Sequence, residues 1–341
     1  MAYTTINKSS DYFNGTAYTG NGTAGRDITL ATFQPDFTWI KSRSDSDNHR
    51  LVDAVRTATK HLSSDLTAAE ETSSNVTAFT SDGVTLSSNG AVNANSETYI
   101  SWNWLANGTG SANTDGSISS TVSVNTTSGF SIVKFTGTGA NGTVGHGLGV
   151  APKVIIQKGL DASLNWKMYH SSLGAGAYIN FDEAAGSASS TVTWNNTAPT
   201  SSLFSVGSGN NNNSSQDYIA YCFAEKPGYS KIGSYTGNGN IDGPFAYTGF
   251  KPNFIMLKNT VDNGDNWTIY DSSRDPNNKS ENLLFANSNS TEADGNFMDI
   301  LSNGFKQRNT SNGNNGSGDK LIYMAFGQSI VGSNNVPATA R

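Results

Sequence analysis

The feature that most constrains this chain is that it says one thing three times. From Tyr18 it reads YTGNGTAGRDITLATFQPDFTWIK, from Phe135 FTGTGANGTVGHGLGVAPKVIIQK, and from Tyr235 YTGNGNIDGPFAYTGFKPNFIMLK. In each passage a proline lies 17 positions after the first aromatic (Pro35, Pro152, Pro252), and a lysine follows six residues later (Lys41, Lys158, Lys258). Next come Asn48-His49, Asn165-Trp166 and Asn266-Trp267, and four residues on a polar group recurs as Asp53, His170 and Asp271. Two copies then add an arginine, Arg56 and Arg274. A turn-plus-aliphatic step follows at Asp82-Gly83-Val84, Ser202-Leu203-Phe204 and Asn303-Gly304-Phe305. Each passage closes on an aromatic-rich run: TYISWNWLA from Thr98, DYIAYCFAE from Asp217, KLIYMAFGQ from Lys320. So many matches in one order mean an internal repeat of roughly 95 residues, longer than solenoid periods.

One copy reads as β structure. FTWIK, KVIIQK and FIMLK are short apolar runs of strand length. Proline just before such a run suits a strand's first residue or an edge. The terminal lysine is expected to keep its head in water and blunt that edge. TGNG, TGTG and SNG are turn chemistry, in which Gly and Asn supply positive φ cheaply. Charged residues are only 14% of the chain and apolar ones 35%, with 36 Gly. That composition disfavours long helices and suits many short strands; six Trp, 13 Tyr and 16 Phe supply core material. One helix is expected, DLTAAEE from Asp65, with an Asp cap and an Ala/Glu interior. The fold class is therefore all-β: three tandem β-sandwich repeats, of jelly-roll or Ig-like type, laid end to end. Their boundaries are 1–106, 131–226 and 227–341 with a C-terminal tail. A linker of 107–130 precedes the second, in which SISSTVSV can add a strand. The short EKPGYSK joins the second and third and keeps them close.

Several classes of function are disfavoured. Net charge is −6 without a basic stripe, so a nucleic-acid surface is not expected. Cys222 is the sole cysteine, which rules out an intrachain disulfide. No apolar run reaches the roughly 18–20 residues of a membrane span, and the start lacks the pattern of a signal peptide. Gly20–Gly25 and Gly137–Gly142 match Gly-x-Gly-x-x-Gly, but no helical sequence follows to meet a pyrophosphate, so both read as hairpin turns. His49, His61, His146 and His170 lack metal-ligand spacing, and His146 sits in a Gly-rich turn. Asp45 with Asp47 and Asp262 with Asp265 are acidic pairs in loops, read as solvated carboxylates in preference to weak calcium ligands or a glycosidase pair. No catalytic, metal or cofactor site is expected. The recurring aromatic position supplies the ligand-binding candidates, His49, Trp166 and Trp267. Tryptophan can lay its face on a sugar, although a position recurring in an internal repeat is more often core.

The passages MAYTTINKSSDYFNG, TVGHGLGVAPKVIIQK, NWKMYHSSLG, GYSKIGSYTGNGNIDGPFAYTGFKPNFIMLK, WTIYDSSRDPNN and NNVPATAR resemble tail-fibre-like and other virion structural proteins of tailed bacteriophages, marine phages especially. The resemblance spans nearly the whole chain and implies a virion-surface component. Its partners would be other virion proteins and a host cell-surface glycan, in a homo-oligomer such as a trimer, with no reaction catalysed, no nucleic acid bound and no membrane insertion. A tail-fibre or receptor-binding module is the leading expectation. Capsid decoration or a head fibre is the alternative.

Overall fold

The computed structural model describes residues 4–329; the expected C-terminal tail and the first three residues of the resembling N-terminal passage lie outside them. Within that range the chain is almost wholly β, built of antiparallel sheets, with helix confined to single turns at Gly90–Asn93, Asn312–Asn315 and the 3-10 turn Ser9–Asp11.

The three passages occupy equivalent places. Each contributes an opening strand (Phe13–Thr19, Phe130–Thr136, Ser230–Thr236), a lysine strand (Phe37–Ser42, Val154–Gly159, Phe250–Asn259) and a closing strand (Thr98–Trp104, Asp217–Phe223, Lys320–Ser329). The closing strand lies between the other two in all three. On the far side the lysine strand pairs with Arg50–Asp53, Lys167–His170 or Thr268–Asp271, each followed by a further strand. The register is conserved too, for Trp104, Phe223 and Phe326 face Phe37, Val154 and Phe254 respectively.

The lysine strands are thus central, not edges. Their continuous apolar runs reflect burial on both faces, as expected where a strand is covered above and below. The prolines still obey the ladder rule: Pro35 and Pro152 precede their strands, and Pro252 sits beside a register shift. The expected helix from Asp65 does not form. Residues Thr67–Glu70 instead run as an extended strap, Glu70 N–H donating to Leu160 O at 2.8 Å and Leu164 N–H to Thr67 O at 3.0 Å. Seven residues with helical propensity gain too little from one nucleus to outweigh such contacts.

Burial follows the same plan. One face of each main sheet packs on a smaller layer within its own passage. This makes three separate apolar clusters, around Val84 and Tyr99, around Phe204 and Tyr218, and around Phe305 and Tyr323. The opposite faces of all three main sheets meet in a single larger cluster. At its centre the equivalent Trp104, Phe223 and Phe326 form a triangle, with ring centroids 6.1, 5.8 and 5.8 Å apart. The three segments therefore surround an axis instead of lying end to end.

Candidate functional site

The recurrent polar residues converge on the junctions between segments, and their contacts run in one rotational sense. Trp166 Nε1 donates to Ser63 O at 3.0 Å, and Trp267 Nε1 to Asn180 O at 3.1 Å. His49 Nε2 lies 3.0 Å from Phe285 O. Second reaches first, third reaches second, and first reaches third: the ring closes. The three residues are fully buried or nearly so, at 0%, 0% and 1% exposure for His49, Trp166 and Trp267. None of these rings presents a face to solvent for a sugar to stack on. They act as keys between segments.

His49 fills a tryptophan position by behaving as a donor there. Its Nδ1 accepts from Trp39 Nε1 at 2.8 Å, and indole is a donor only. The proton must therefore sit on Nε2, aimed at Phe285 O and at Ser288 O, 3.1 Å away. His170 and His146 share this tautomer: Nδ1 accepts from a backbone N–H, and Nε2 points at Tyr323 O and Thr200 O respectively. Burial, with nearby Lys41, holds His49 down at about 3; burial likewise holds His170 at about 4. Such rings are locked neutral, unlike a catalytic base poised near neutrality.

Backbone straps repeat the circuit. Glu70 N–H meets Leu160 O at 2.8 Å, Ser187 N–H meets Thr260 O at 2.9 Å, and Glu292 N–H meets Arg43 O at 2.8 Å. Two of the three lysines reach across the same junctions. Lys158 Nζ donates to Thr67 O at 3.0 Å and Lys258 Nζ to Ala184 O at 2.8 Å, both in the preceding segment. Lys41 Nζ donates within its own loop, to Ser42 O at 2.6 Å and Asp45 O at 3.2 Å. All three are buried, at 0–1% exposure, contrary to the expectation that their heads reach water. Carbonyl oxygens replace the water shell. Burial pulls each ammonium down to about 8.

The Asp/Arg positions complete the junctions. Arg56 Nε meets Asp53 Oδ2 at 2.5 Å, and Tyr221 of the second segment donates to the same oxygen at 2.8 Å. Arg274 Nε meets Asp271 Oδ2 at 2.6 Å, and Trp102 Nε1 of the first segment donates to it at 3.1 Å. In the second segment the aspartate is His170, its arginine is Leu173, and the residue equivalent to Tyr221 and Trp102 is Met324. A buried carboxylate occurs where the neighbour brings a donor, and a neutral ring where it brings a thioether. That is the pairing rule for buried charge. Glu292 ties the last junction, taking Arg43 at 2.7 Å and Arg274 at 2.9 Å.

These groups are consumed by structure. An enclosed void of about 10 Å³ among Phe37, Trp39, Trp104, Phe254 and Met256 is far below a ligand's size. Among the described residues no group of three or more His, Cys, Asp or Glu is arranged to hold a metal, and no helix is long and apolar enough to cross a membrane. The cross-segment keys were visible in the sequence as recurring residues; their partners, 103, 87 and 236 positions away, carried no local signal.

The chain belongs to the family described as a domain of unknown function, DUF7483, which matches residues 8–329. No curated protein and no solved structure matches it.

Proposed function

We propose that this DUF7483 chain is a non-enzymatic virion-surface protein of a tailed phage, a tail-fibre or receptor-binding module that contacts host glycans. We further propose that it is three copies of one β-sandwich unit closed about a pseudo-threefold axis. The observation that carries the reading is the use made of the recurrent polar residues. Lysines, histidines and Asp/Arg pairs that an enzyme would hold ready for substrate are instead bonded to carbonyls and to one another, most of them with a further partner across a junction. The product is a stiff body whose function falls to exposed loops, which is where recognition usually resides. A disulfide-free chain outside the cell gains durability from such closure. Several weak sites on one rigid body, multiplied by an oligomer, bind tightly without any tight single site.

Immunogold labelling of intact particles with an antibody to this chain is the test. Label on tails supports the reading. Label on heads moves the protein to capsid decoration, and no label on particles removes it from the virion. Release of reducing ends from envelope polysaccharide by the purified chain would contradict the non-enzymatic assignment.

A further inference from the structure

The threefold repetition supplies an internal control: a feature present in one segment only is not required by the shared scaffold. The outer layer of each segment begins with a short strand, Arg26–Thr29, Gly142–Gly145 or Phe245–Tyr247, each paired to a second strand in the same register. Its middle residue is buried in all three: Ile28, Val144 and Ala246. The flanking residues are where the segments part, and all are at least partly exposed except the buried Gly145. They are Asp27 and Thr29 in the first, Thr143 and Gly145 in the second, but Phe245 and Tyr247 in the third. Phe245 is 44% and Tyr247 58% exposed. The loop entering the strand is longer in the third segment as well, and its extra length carries Ile241, 66% exposed.

Of these, Ile241 borders an open groove of about 570 Å³, lined with it by Asp242, Lys279, Phe297, Asp299 and Arg308. A second hollow of about 340 Å³ adjoins it, sharing Ile241, Phe297 and Arg308. Arg308 Nε holds Asp299 at 2.6 Å, Lys306 Nζ holds Asp242 at 2.9 Å, and Lys279 Nζ holds Glu281 at 3.2 Å while lying over the Phe297 ring. Phe245 stands across the ladder from Lys306, whose partner on its other side is Asp299 of the groove wall.

We infer that this groove on the third segment is the glycan contact of the molecule, and that it takes a neutral hexose chain. The three cations and three carboxylates balance, so the groove carries no net charge to select a polyanion or polycation. It offers paired donors and acceptors beside apolar faces. A sugar ring matches this, with an apolar face for Phe297, Phe245 or Ile241 and an edge of hydroxyls that both donate and accept. Lys279 swings off Phe297 when a sugar stacks there. The core of a protein–protein interface is depleted of Lys, Asp and Glu, whereas ion pairs line this groove.

The inference rests on the glycan-recognition reading, and its test separates the two. Titrate the full chain with neutral gluco-, manno- and galacto-oligosaccharides, with oligogalacturonate, and with polysaccharide extracted from Gram-negative envelopes. Compare wild type with Phe297→Ala, Arg308→Gln and the milder Lys279→Gln, checking each variant's thermal midpoint. The expected result is saturable binding of at least one neutral series, little changed by salt and weakened tenfold or more in folded Phe297→Ala and Arg308→Gln. Binding that folded variants leave intact, or that is confined to oligogalacturonate and fades with salt, overturns the site and its ligand class but not the broader reading. Failure of every glycan to bind overturns both.

Discussion

Trp104 stands on the central axis where the other two segments place phenylalanine, and its indole N–H finds no hydrogen-bond partner among the described residues. Removing an orphaned donor offsets part of the cost of a smaller ring. Trp104→Phe is therefore expected to change stability by less than about 1.5 kcal/mol, whereas Trp104→Ala should cost about 3–5 kcal/mol; urea unfolding measures both. Asp53 poses the opposite case. Asp53→Ala leaves the buried Arg56 with Glu70, at 3.2 Å, as its remaining carboxylate and should cost about 3 kcal/mol. Transplanting the second segment's solution, Asp53→His with Arg56→Leu and Tyr221→Met, should recover much of that loss. His49 links the residue scale to pH. Its folded value of about 3 lies below the ordinary 6.5, so between these the unfolded chain binds the extra proton and stability falls as pH falls. Asp65 and Asp182, pushed up to about 6 by burial, oppose this below that pH. In urea midpoints taken from pH 6.5 to pH 4, His49→Phe should flatten the acid-side decline relative to wild type while lowering stability at pH 7 by about 1–3 kcal/mol, because Trp39 Nε1 loses its acceptor.

At the scale of the element, the lysine strands show what sequence patterning conveys and what it omits. FTWIK, KVIIQK and FIMLK announce strands by their length and apolar run, and those strands are where expected. The same continuity signals burial on both faces, whereas the closing lysine points to an exposed edge. Lysine at a strand end ordinarily does snorkel. Carbonyls make a buried ammonium tolerable: Lys41 finds Ser42 O and Asp45 O in its own loop, while Lys158 and Lys258 also take Thr67 O and Ala184 O from a different segment, which no local window contains. DLTAAEE has helical propensity, but its strap partners, Leu160 O and Leu164 N–H, likewise lie in another segment. The lysines give a second pH prediction of opposite span. They shed protons near 8 in the fold and at the ordinary 10.5 when unfolded. Between those values unfolding takes up protons, so stability should rise with pH, by up to about 1 kcal/mol per lysine per unit. The window from pH 8 to 9 is cleanest, because Cys222 and the buried tyrosines, raised by burial, begin to oppose it above their ordinary values. Denaturant midpoints at pH 8 and 9 should rise in the wild type and stay level in a Lys41/Lys158/Lys258→Met triple variant.

For the whole molecule, the repeat was legible and its arrangement was not. Asn-aromatic and Asp/Arg positions recur, and a core order of opening, closing and lysine strand followed by two more is common to the three main sheets, although the second adds two strands beyond its opening strand and the third runs on into its outer layer. Period alone does not distinguish beads on a string from a closed ring. The ring follows from contacts: each main sheet buries one face on its own outer layer and the other on its two counterparts. A segment cut out alone, such as 131–226, would expose Trp166, Tyr221 and Phe223, which the intact chain covers. It should fail to fold to a cooperative monomer, seen as absent near-ultraviolet circular dichroism. The most direct test of this shared core is differential scanning calorimetry of the full chain. One transition is predicted, with calorimetric and van't Hoff enthalpies in a ratio near one. Three resolved transitions, or a ratio near three, would mean that the segments melt independently and that the central core does not bind them into one unit.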